Sequence, residues 1–107
     1  MIEIIPAASF RKALKPLAKK YRSLMNDLNQ LADQIRNNPK IGTPIGHDCF
    51  KIRLAISSKN QGKSGGARVI TCVKIVNEQV VLLTIYDKSE RDNITDKELL
   101  ALLKELE

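Results

Sequence analysis

One apolar stripe in the first third of the chain constrains the fold more than any other feature. Its members are spaced alternately by four and three residues, which places them on one face of an α-helix. The stripe comprises Phe10, Leu14, Leu17, Tyr21, Leu24, Leu28, Leu31 and Ile35. A single helix over residues 9–37 would be about 43 Å long at 1.5 Å per residue, whereas a compact domain of this length has a diameter of about 34 Å. The sequence therefore predicts two helices that fold back on each other.

The break between the two helices has two candidate positions. Pro16 cannot donate a backbone hydrogen bond to the carbonyl four residues earlier, so it disturbs a helix that continues through it. Ser23 is a residue type that caps the beginning of helices, and Asp27 would lie in the first turns of the helix that follows. We favour a break at residues 21–23, with Pro16 early in the first helix or at a kink. The second helix should end before Pro39.

Strand patterns surround this helical hairpin. Residues 1–5 form a short apolar run that Pro6 stops, as in an edge strand. Residues 50–56 alternate between apolar and polar side chains, which is typical of a half-buried strand. Residues 67–76 are rich in β-branched side chains, and residues 80–86 are almost continuously apolar, as in strands covered on both faces. Residues 41–46 are predicted to be a loop because glycine and proline interrupt them.

The C-terminal segment predicts one more helix. Thr95 and Glu98 have the spacing of a capping box, and the leucines that follow form one apolar face: Leu99, Leu102, Leu103 and Leu106. The expected order is β-α-α-β-β-β-α. We predict a single α+β domain over residues 1–107, with the helical hairpin packed on one face of a mostly antiparallel sheet and helices gathered on that face.

Positive charge is concentrated in one stretch, residues 48–73. It contains Lys51, Arg53, Lys59, Lys63 and Arg68 against a single acid, Asp48. Residues 1–75 hold 14 Lys and Arg against 4 acids, whereas residues 76–107 hold 4 against 8. Such a distribution favours a polyanionic partner, and the alternative is an ordinary solvated surface.

Other classes of protein find little support in the sequence. No apolar run approaches the length of a membrane span, and the N-terminus lacks the pattern of a signal peptide, so a cytoplasmic protein is expected. Cys49 and Cys72 are isolated, which favours two buried thiols over a disulfide. His47 and Cys49 are too few ligands for a zinc site, and the sequence lacks nucleotide-binding glycine motifs, so no metal and no cofactor is expected.

Four segments resemble the RelE/ParE superfamily of bacterial type II toxins, most closely its RelE/HigB-like branch. They occur in the expected order at residues 38–42 (NPKIG), 50–54 (FKIRL), 62–70 (GKSGGARVI) and 82–90 (LLTIYDKSE). The resemblance implies a small toxin that inhibits translation by binding the ribosome and cutting messenger RNA (mRNA). It implies a metal-independent endoribonuclease in which the 2′-hydroxyl attacks the phosphodiester. It also implies a cognate antitoxin as partner, often a helix-turn-helix protein.

The basic side chains of the central strands are the leading site candidates. Lys51 and Arg53 project from one strand face, and Arg68 begins the next strand after a glycine pair. Guanidinium and ammonium groups stabilise the charge that grows on phosphate oxygens during cleavage. The resemblance implies that these three residues line the RNA-cutting face. Lys59 and Lys63, in the predicted loop between the strands, are expected to bind RNA.

The proton-transfer groups are less determined. Tyr86, at the end of the central strand, has three alternative roles: it stacks on a base, it orients the 2′-hydroxyl, or it packs as a half-buried aromatic. Lys88 and Glu90 follow it and are expected at the mouth of the same face. His47, the only histidine, is a weaker candidate for the general base, and solvation in a loop is the alternative.

Three further functions remain open from the sequence. A toxin of the same fold that inhibits DNA gyrase, as in the ParE branch, would not need a phosphate-cutting arrangement. A non-catalytic RNA-binding module would show salt-dependent binding without cleavage. An inactive relative of the toxins is the third.

Overall fold

The computed structural model describes residues 1–59, 62, 63 and 65–106. Along the chain lie β1 (Glu3–Pro6), α1 (Ala8–Lys20), α2 (Leu24–Asn37), β2 (Thr43–Gly46), β3 (Cys49–Leu54), β4 (Ala67–Lys74), β5 (Gln79–Asp87) and α3 (Asp96–Lys104). A single 3-10 turn, Ser57–Lys59, follows β3. The predicted loop between β3 and β4 includes residues 60, 61 and 64, which lie outside the described residues.

The helical hairpin confirms the predicted break. α1 ends at Lys20 and α2 begins at Leu24, and Pro16 lies inside α1. A straight helix over the whole stripe would exceed the longest dimension of the molecule, 37 Å. The predicted capping bond of Ser23 is wrong, because its hydroxyl bonds to the Asp27 side chain at 2.9 Å instead of a backbone N–H of α2.

The five strands form one sheet in the order β1-β5-β4-β3-β2. β1 is an edge strand parallel to β5, and the other neighbours are antiparallel, which confirms the mostly antiparallel sheet. The prediction of a loop at residues 41–46 is wrong, since β2 pairs there with β3. Pro44 is tolerated because β2 is the other edge, where a missing N–H interrupts no second ladder.

The sheet is covered on both faces. α1 and α2 enclose one core with β1 and the inner faces of β3–β5, including Phe10, Leu24 and Ile52. α3 packs on the opposite face, where Leu99 meets Cys49 and Cys72. The prediction that all helices share one face is therefore wrong for α3. Because β4 and β5 carry apolar side chains on both faces, the second face of the sheet must also be covered, and α3 covers it.

Strand alternation determines which side chains reach each face. Ile52 and Leu54 are buried towards the helical hairpin, whereas Lys51 and Arg53 project to the face that carries α3. Cys49 and Cys72 are register partners and buried free thiols, as predicted. Among the described residues, no helix is both long and apolar enough to cross a membrane.

Candidate functional site

Three predicted site residues lie side by side across the centre of the sheet. Arg53 on β3 is the register partner of Arg68 on β4, and Arg68 is the partner of Tyr86 on β5. Directly opposed residues of an antiparallel pair point to the same face, with Cβ atoms about 4.5–5.5 Å apart. All three therefore project to the face that α3 partly covers. We call this set the cross-strand row.

The cross-strand row places two guanidinium groups next to each other. Like charges in directly opposed positions destabilise a sheet. Arg53 is exposed, whereas Arg68 is only 4% exposed and donates from Nη1 to the Lys63 carbonyl at 2.8 Å and the Ala67 carbonyl at 3.1 Å. The pair therefore concentrates positive charge on this face of the sheet, with Arg53 as its exposed member.

Lys51 extends the positive charge along the same face of β3. It lies two residues before Arg53, and its ammonium group donates to Asn93 Oδ1 at 3.2 Å. Lys51 is half-buried, and among the described residues its ammonium donates to Asn93 alone, which leaves two of its three N–H donors for a ligand.

Tyr86 is 7% exposed, and its hydroxyl has no hydrogen-bond partner within the part of the chain that the structure describes. Burial raises the pKa of the phenol, and the nearby Arg91 and Arg68 offset part of that rise. Tyr86 is therefore a neutral phenol at physiological pH. The hydroxyl oxygen is itself buried, so a ligand reaches it only if neighbouring side chains move.

Arg91 is a residue of this site that the sequence analysis missed. Its guanidinium lies 5.1 Å from the centre of the Tyr86 ring, and Nη2 contacts Glu98 Oε1 at 2.7 Å and Oε2 at 2.8 Å. The hydrogen bond from Arg91 is the main reason that the pKa of Glu98 falls to about 2. In the sequence Arg91 lies among acids and gives no signal of its position.

The two residues predicted beside Tyr86 separate in the structure. Lys88 donates its backbone N–H to the Gly66 carbonyl at 3.0 Å, and its ammonium contacts Asp92 Oδ1 at 2.8 Å. Glu90 lies 3.4 Å from Lys20 at the end of α1. Lys88 is thus tied to the beginning of β4, whereas Glu90 contacts the helical hairpin.

The two lysines predicted to bind RNA also differ. Lys63 is exposed beside the row, and its carbonyl accepts from Arg68. The Lys59 ammonium lies 3.0 Å from Asp87, and their side chains are 10% and 0% exposed. Lys59 therefore neutralises a buried carboxylate in this structure and does not face outwards from the loop.

His47 lies in the turn between β2 and β3, with a φ of 56°. Its Nε2 is 3.6 Å from Asp96 Oδ1 at the first residue of α3. No group of three His, Cys, Asp or Glu side chains able to hold a metal occurs among residues 1–59, 62, 63 and 65–106.

The arrangement is thus a cationic surface with a neutral phenol at its centre.

A family model described as the RelE toxin of the RelE/RelB toxin-antitoxin system matches residues 9–106. The chain belongs to this family. Two solved structures share its fold. A free-state structure of E. coli toxin RelE with two arginine-to-alanine substitutions is 16% identical, has a TM-score of 0.64, and the match covers 99% of this chain and 98% of that one. Isolated E. coli RelE toxin is 17% identical, with a TM-score of 0.59 and complete coverage (100%) of both chains.

Family membership gives this RelE toxin one partner, the antitoxin of its system. It also confirms the RelE resemblance found in the sequence. The family match gives no functional role to the cross-strand row, Lys51 or Arg91.

Proposed function

We propose that this RelE toxin is an endoribonuclease that cuts mRNA on the ribosome. The observation that carries the proposal is the cross-strand row, in which Arg53 and Arg68 oppose each other with Tyr86 alongside. Arg68 is held at 4% exposure by the Lys63 and Ala67 carbonyls, and the exposed Arg53 beside it presents positive charge to a phosphate. The cognate antitoxin, of helix-turn-helix type in this proposal, silences the activity.

The chemistry follows from where the charges lie. The 2′-hydroxyl loses its proton as its oxygen attacks the adjacent phosphorus, the bond from phosphorus to the 5′-oxygen breaks, and the 5′-oxygen takes up a proton. The products are a 2′,3′-cyclic phosphate and a 5′-hydroxyl, and negative charge grows on the phosphate oxygens during the attack. Arg53 and Lys51 bind those oxygens. Arg68, held by the Lys63 carbonyl in the loop and the Ala67 carbonyl at the beginning of β4, adds a fixed positive charge behind them. Preorganised charges of this kind contribute much of the rate enhancement of many enzymes.

Tyr86 has a separate role in this proposal. Because its pKa is raised, the phenol keeps its proton. In this proposal the side chains around its buried hydroxyl move when RNA binds, and the hydroxyl then orients the 2′-hydroxyl or a phosphate oxygen by a hydrogen bond. Arg91 fixes the Tyr86 ring from one side. Lys88 lies two residues after Tyr86 in the chain. His47 contacts Asp96 and Glu90 contacts Lys20, so we assign neither side chain a role in the cleavage reaction.

The test is induced expression followed by mapping of mRNA ends. The wild-type toxin should arrest growth and produce cuts within translated messages. Arg53→Ala should lower cleavage by about a hundredfold or more, the cost of losing one charge-stabilising donor. Arg36→Ala is the matched control, because Arg36 is an exposed arginine on α2 that pairs with Asp33.

The outcomes distinguish the nuclease from two alternatives, a gyrase inhibitor and a non-catalytic RNA-binding module. Growth arrest with intact messages, unaffected by Arg53→Ala, would contradict the proposal and favour gyrase inhibition. Binding of RNA without cuts would favour a non-catalytic module.

A further inference from the structure

Cys49 and Cys72 are two thiols that have no role in the proposed cleavage reaction. They are direct register partners on β3 and β4, and both belong to the core that α3 covers. Cys49 is 1% exposed and Cys72 is 6% exposed, and both are free thiols. The fold therefore brings together two nucleophilic sulfur atoms that lie far apart in the chain.

The backbone hydrogen bonds identify the kind of pair that the two cysteines form. The Val73 N–H donates to the Asp48 carbonyl at 2.9 Å, so these two residues are a hydrogen-bonded pair of the ladder. The two kinds of pair alternate, which makes Cys49 and Cys72 a non-hydrogen-bonded pair with Cα atoms about 4.5 Å apart. Disulfides span Cα distances of about 4.4–6.8 Å. The two sulfur atoms can therefore join without a large movement of the backbone.

The same geometry predicts a disulfide that is easily reduced. A Cα separation of about 4.5 Å lies at the short end of the range for disulfides, and departures from the usual geometry strain the bond. Strained disulfides have less negative reduction potentials than structural ones, and they are the labile or regulatory ones. The pair should therefore stay a dithiol in a large excess of reduced glutathione and become oxidised only when a stronger oxidant is present.

We propose that Cys49 and Cys72 form a reversible disulfide when the toxin meets a hydroperoxide, and that this bond makes the folded toxin harder to unfold. The inference does not depend on the nuclease activity. A disulfide stabilises a fold mainly by restricting the unfolded chain. The loop that this bond closes contains Arg53, the 3-10 turn Ser57–Lys59 and Arg68. The bond would therefore keep together the two strands that carry both arginines of the cross-strand row.

The two thiols react in a fixed order. Cys72 is the more exposed, whereas burial and the neighbouring Cys72 thiol raise the pKa of Cys49 to about 12. The Cys72 sulfur bonds to one peroxide oxygen, the O–O bond breaks, and the alcohol leaves with the thiol proton, which gives a sulfenic acid. The Cys49 sulfur then bonds to the Cys72 sulfur as the S–O bond breaks, and hydroxide leaves with the Cys49 proton as water. Two thiols and one hydroperoxide thus give one disulfide, one alcohol and one water.

Access to the thiols is controlled by α3 and by the turn before β3. Leu99 is the buried side chain of α3, and it packs against both cysteines. The Cys49 thiol donates to the His47 carbonyl at 3.4 Å, and it must give up this bond to reach Cys72. Oxidation of the folded toxin should therefore be slow, and Leu99→Ala should make it faster.

Mass spectrometry of the intact toxin after treatment with tert-butyl hydroperoxide tests the proposal. The chain should lose two hydrogen atoms while staying a monomer, and peptide mapping should link Cys49 to Cys72. An excess of reduced glutathione should restore both thiols. The midpoint of urea unfolding should be higher for the oxidised chain than for the reduced chain, because the bond restricts the unfolded state.

Two serine variants are the matched controls, and each keeps one of the thiols. Cys49→Ser should accumulate a sulfenic acid at Cys72 that dimedone labels. Cys72→Ser should be labelled at least about tenfold less, because the remaining thiol of Cys49 is buried and its pKa is raised. Hydroperoxide should leave the urea midpoint of both variants unchanged.

Four results would overturn the proposal. They are thiols that stay reduced in both the wild type and Leu99→Ala, disulfides only between two chains, an oxidised chain whose urea midpoint is unchanged, and a disulfide that excess glutathione does not reduce. None of these measurements involves RNA. Loss of the proposed nuclease function would therefore leave the disulfide standing, and loss of the disulfide would leave the nuclease standing.

Discussion

Asp87 shows how one buried residue joins three parts of the molecule. Its carboxylate accepts from the Tyr21 hydroxyl at 2.5 Å, the Lys59 ammonium at 3.0 Å, and the backbone N–H and hydroxyl of Ser89 at 3.0 and 2.7 Å. These donors come from the corner of the helical hairpin, the 3-10 turn after β3 and the end of β5. Asp87 therefore anchors the loop that precedes Arg68.

The acid dependence of stability should depend on Asp87. Burial alone would raise the pKa of this carboxyl, but the hydrogen bonds from Tyr21, Ser89 and Lys59 outweigh burial and hold the pKa well below its usual range. A depressed pKa contributes stability above the unfolded value of about 4, and that stability is lost as the pH falls below it. Asp87→Asn should lose about 3–5 kcal/mol at neutral pH, because it leaves the Lys59 charge buried without its partner.

Denaturant unfolding at several pH values measures both effects. The decline in the free energy of unfolding below about pH 4 should be smaller in Asp87→Asn than in the wild type. Asp33→Asn removes an exposed carboxylate and should leave the decline intact. Equal acid sensitivity of the Asp87→Asn variant and the wild type would show that other carboxylates, such as Glu98, carry the effect.

Residue-level prediction from the sequence succeeded where alternation decides the outcome. The period of two in β3 placed Lys51 and Arg53 together, opposite Ile52. The sequence did not indicate that Lys59 pairs with a carboxylate 28 residues away, Asp87. Such partners are set by tertiary packing, which no local pattern records.

At the level of elements, Gly66 allows β3 and β4 to come together. A Cβ atom there would lie 2.0 Å from the Leu54 carbonyl oxygen, so the two strands must separate to accept it. We expect Gly66→Ala to lower the free energy of unfolding by about 3 kcal/mol or more, among the larger single-residue effects. Cleavage should fall too, because Arg68 lies two residues further along β4.

Gly62→Ala is the matched control in the same loop. Gly62 has a φ of +64°, and a Cβ atom there would meet nothing within 4 Å, so only the left-handed backbone opposes alanine. That conformation costs about 1–2 kcal/mol for a non-glycine residue. Equal losses in the two variants, measured by denaturant unfolding, would contradict the steric explanation for Gly66.

The elements themselves were predicted to different degrees. The helical stripe gave both helices of the hairpin, and the Thr95–Glu98 capping box is present as expected. β2 was missed because its glycine and proline are residues typical of a loop, while its stability comes from pairing with β3. The side chosen by α3 was missed because a leucine face does not identify the face of the sheet it covers.

For the whole molecule, the uneven charge is the property most relevant to RNA. The net charge is +6, and residues 1–75 carry a surplus of basic over acidic side chains while residues 76–107 carry the reverse. In the fold, Arg53 and Lys51 from the basic part lie beside the mixed-charge segment that holds Arg91 and Glu98. Glu98 is paired with Arg91 and Asp92 with Lys88, which leaves Lys51 and Arg53 to act on a polyanion.

Salt dependence counts how many of these charges contact RNA phosphates. Binding to single-stranded RNA releases about 0.7 counterions per phosphate contact, so the logarithm of affinity falls linearly with the logarithm of salt concentration. With an RNA made uncleavable by 2′-deoxy substitution at the cut, Arg53→Ala should reduce this slope by about 0.7, whereas Arg36→Ala should not change it. Lys59 pairs with buried Asp87, so Lys59→Ala should weaken folding but leave the slope unchanged. If the slope falls equally for Arg53→Ala and Arg36→Ala, RNA affinity depends only on the net charge of the protein. That result would contradict the cross-strand row as the specific phosphate contact.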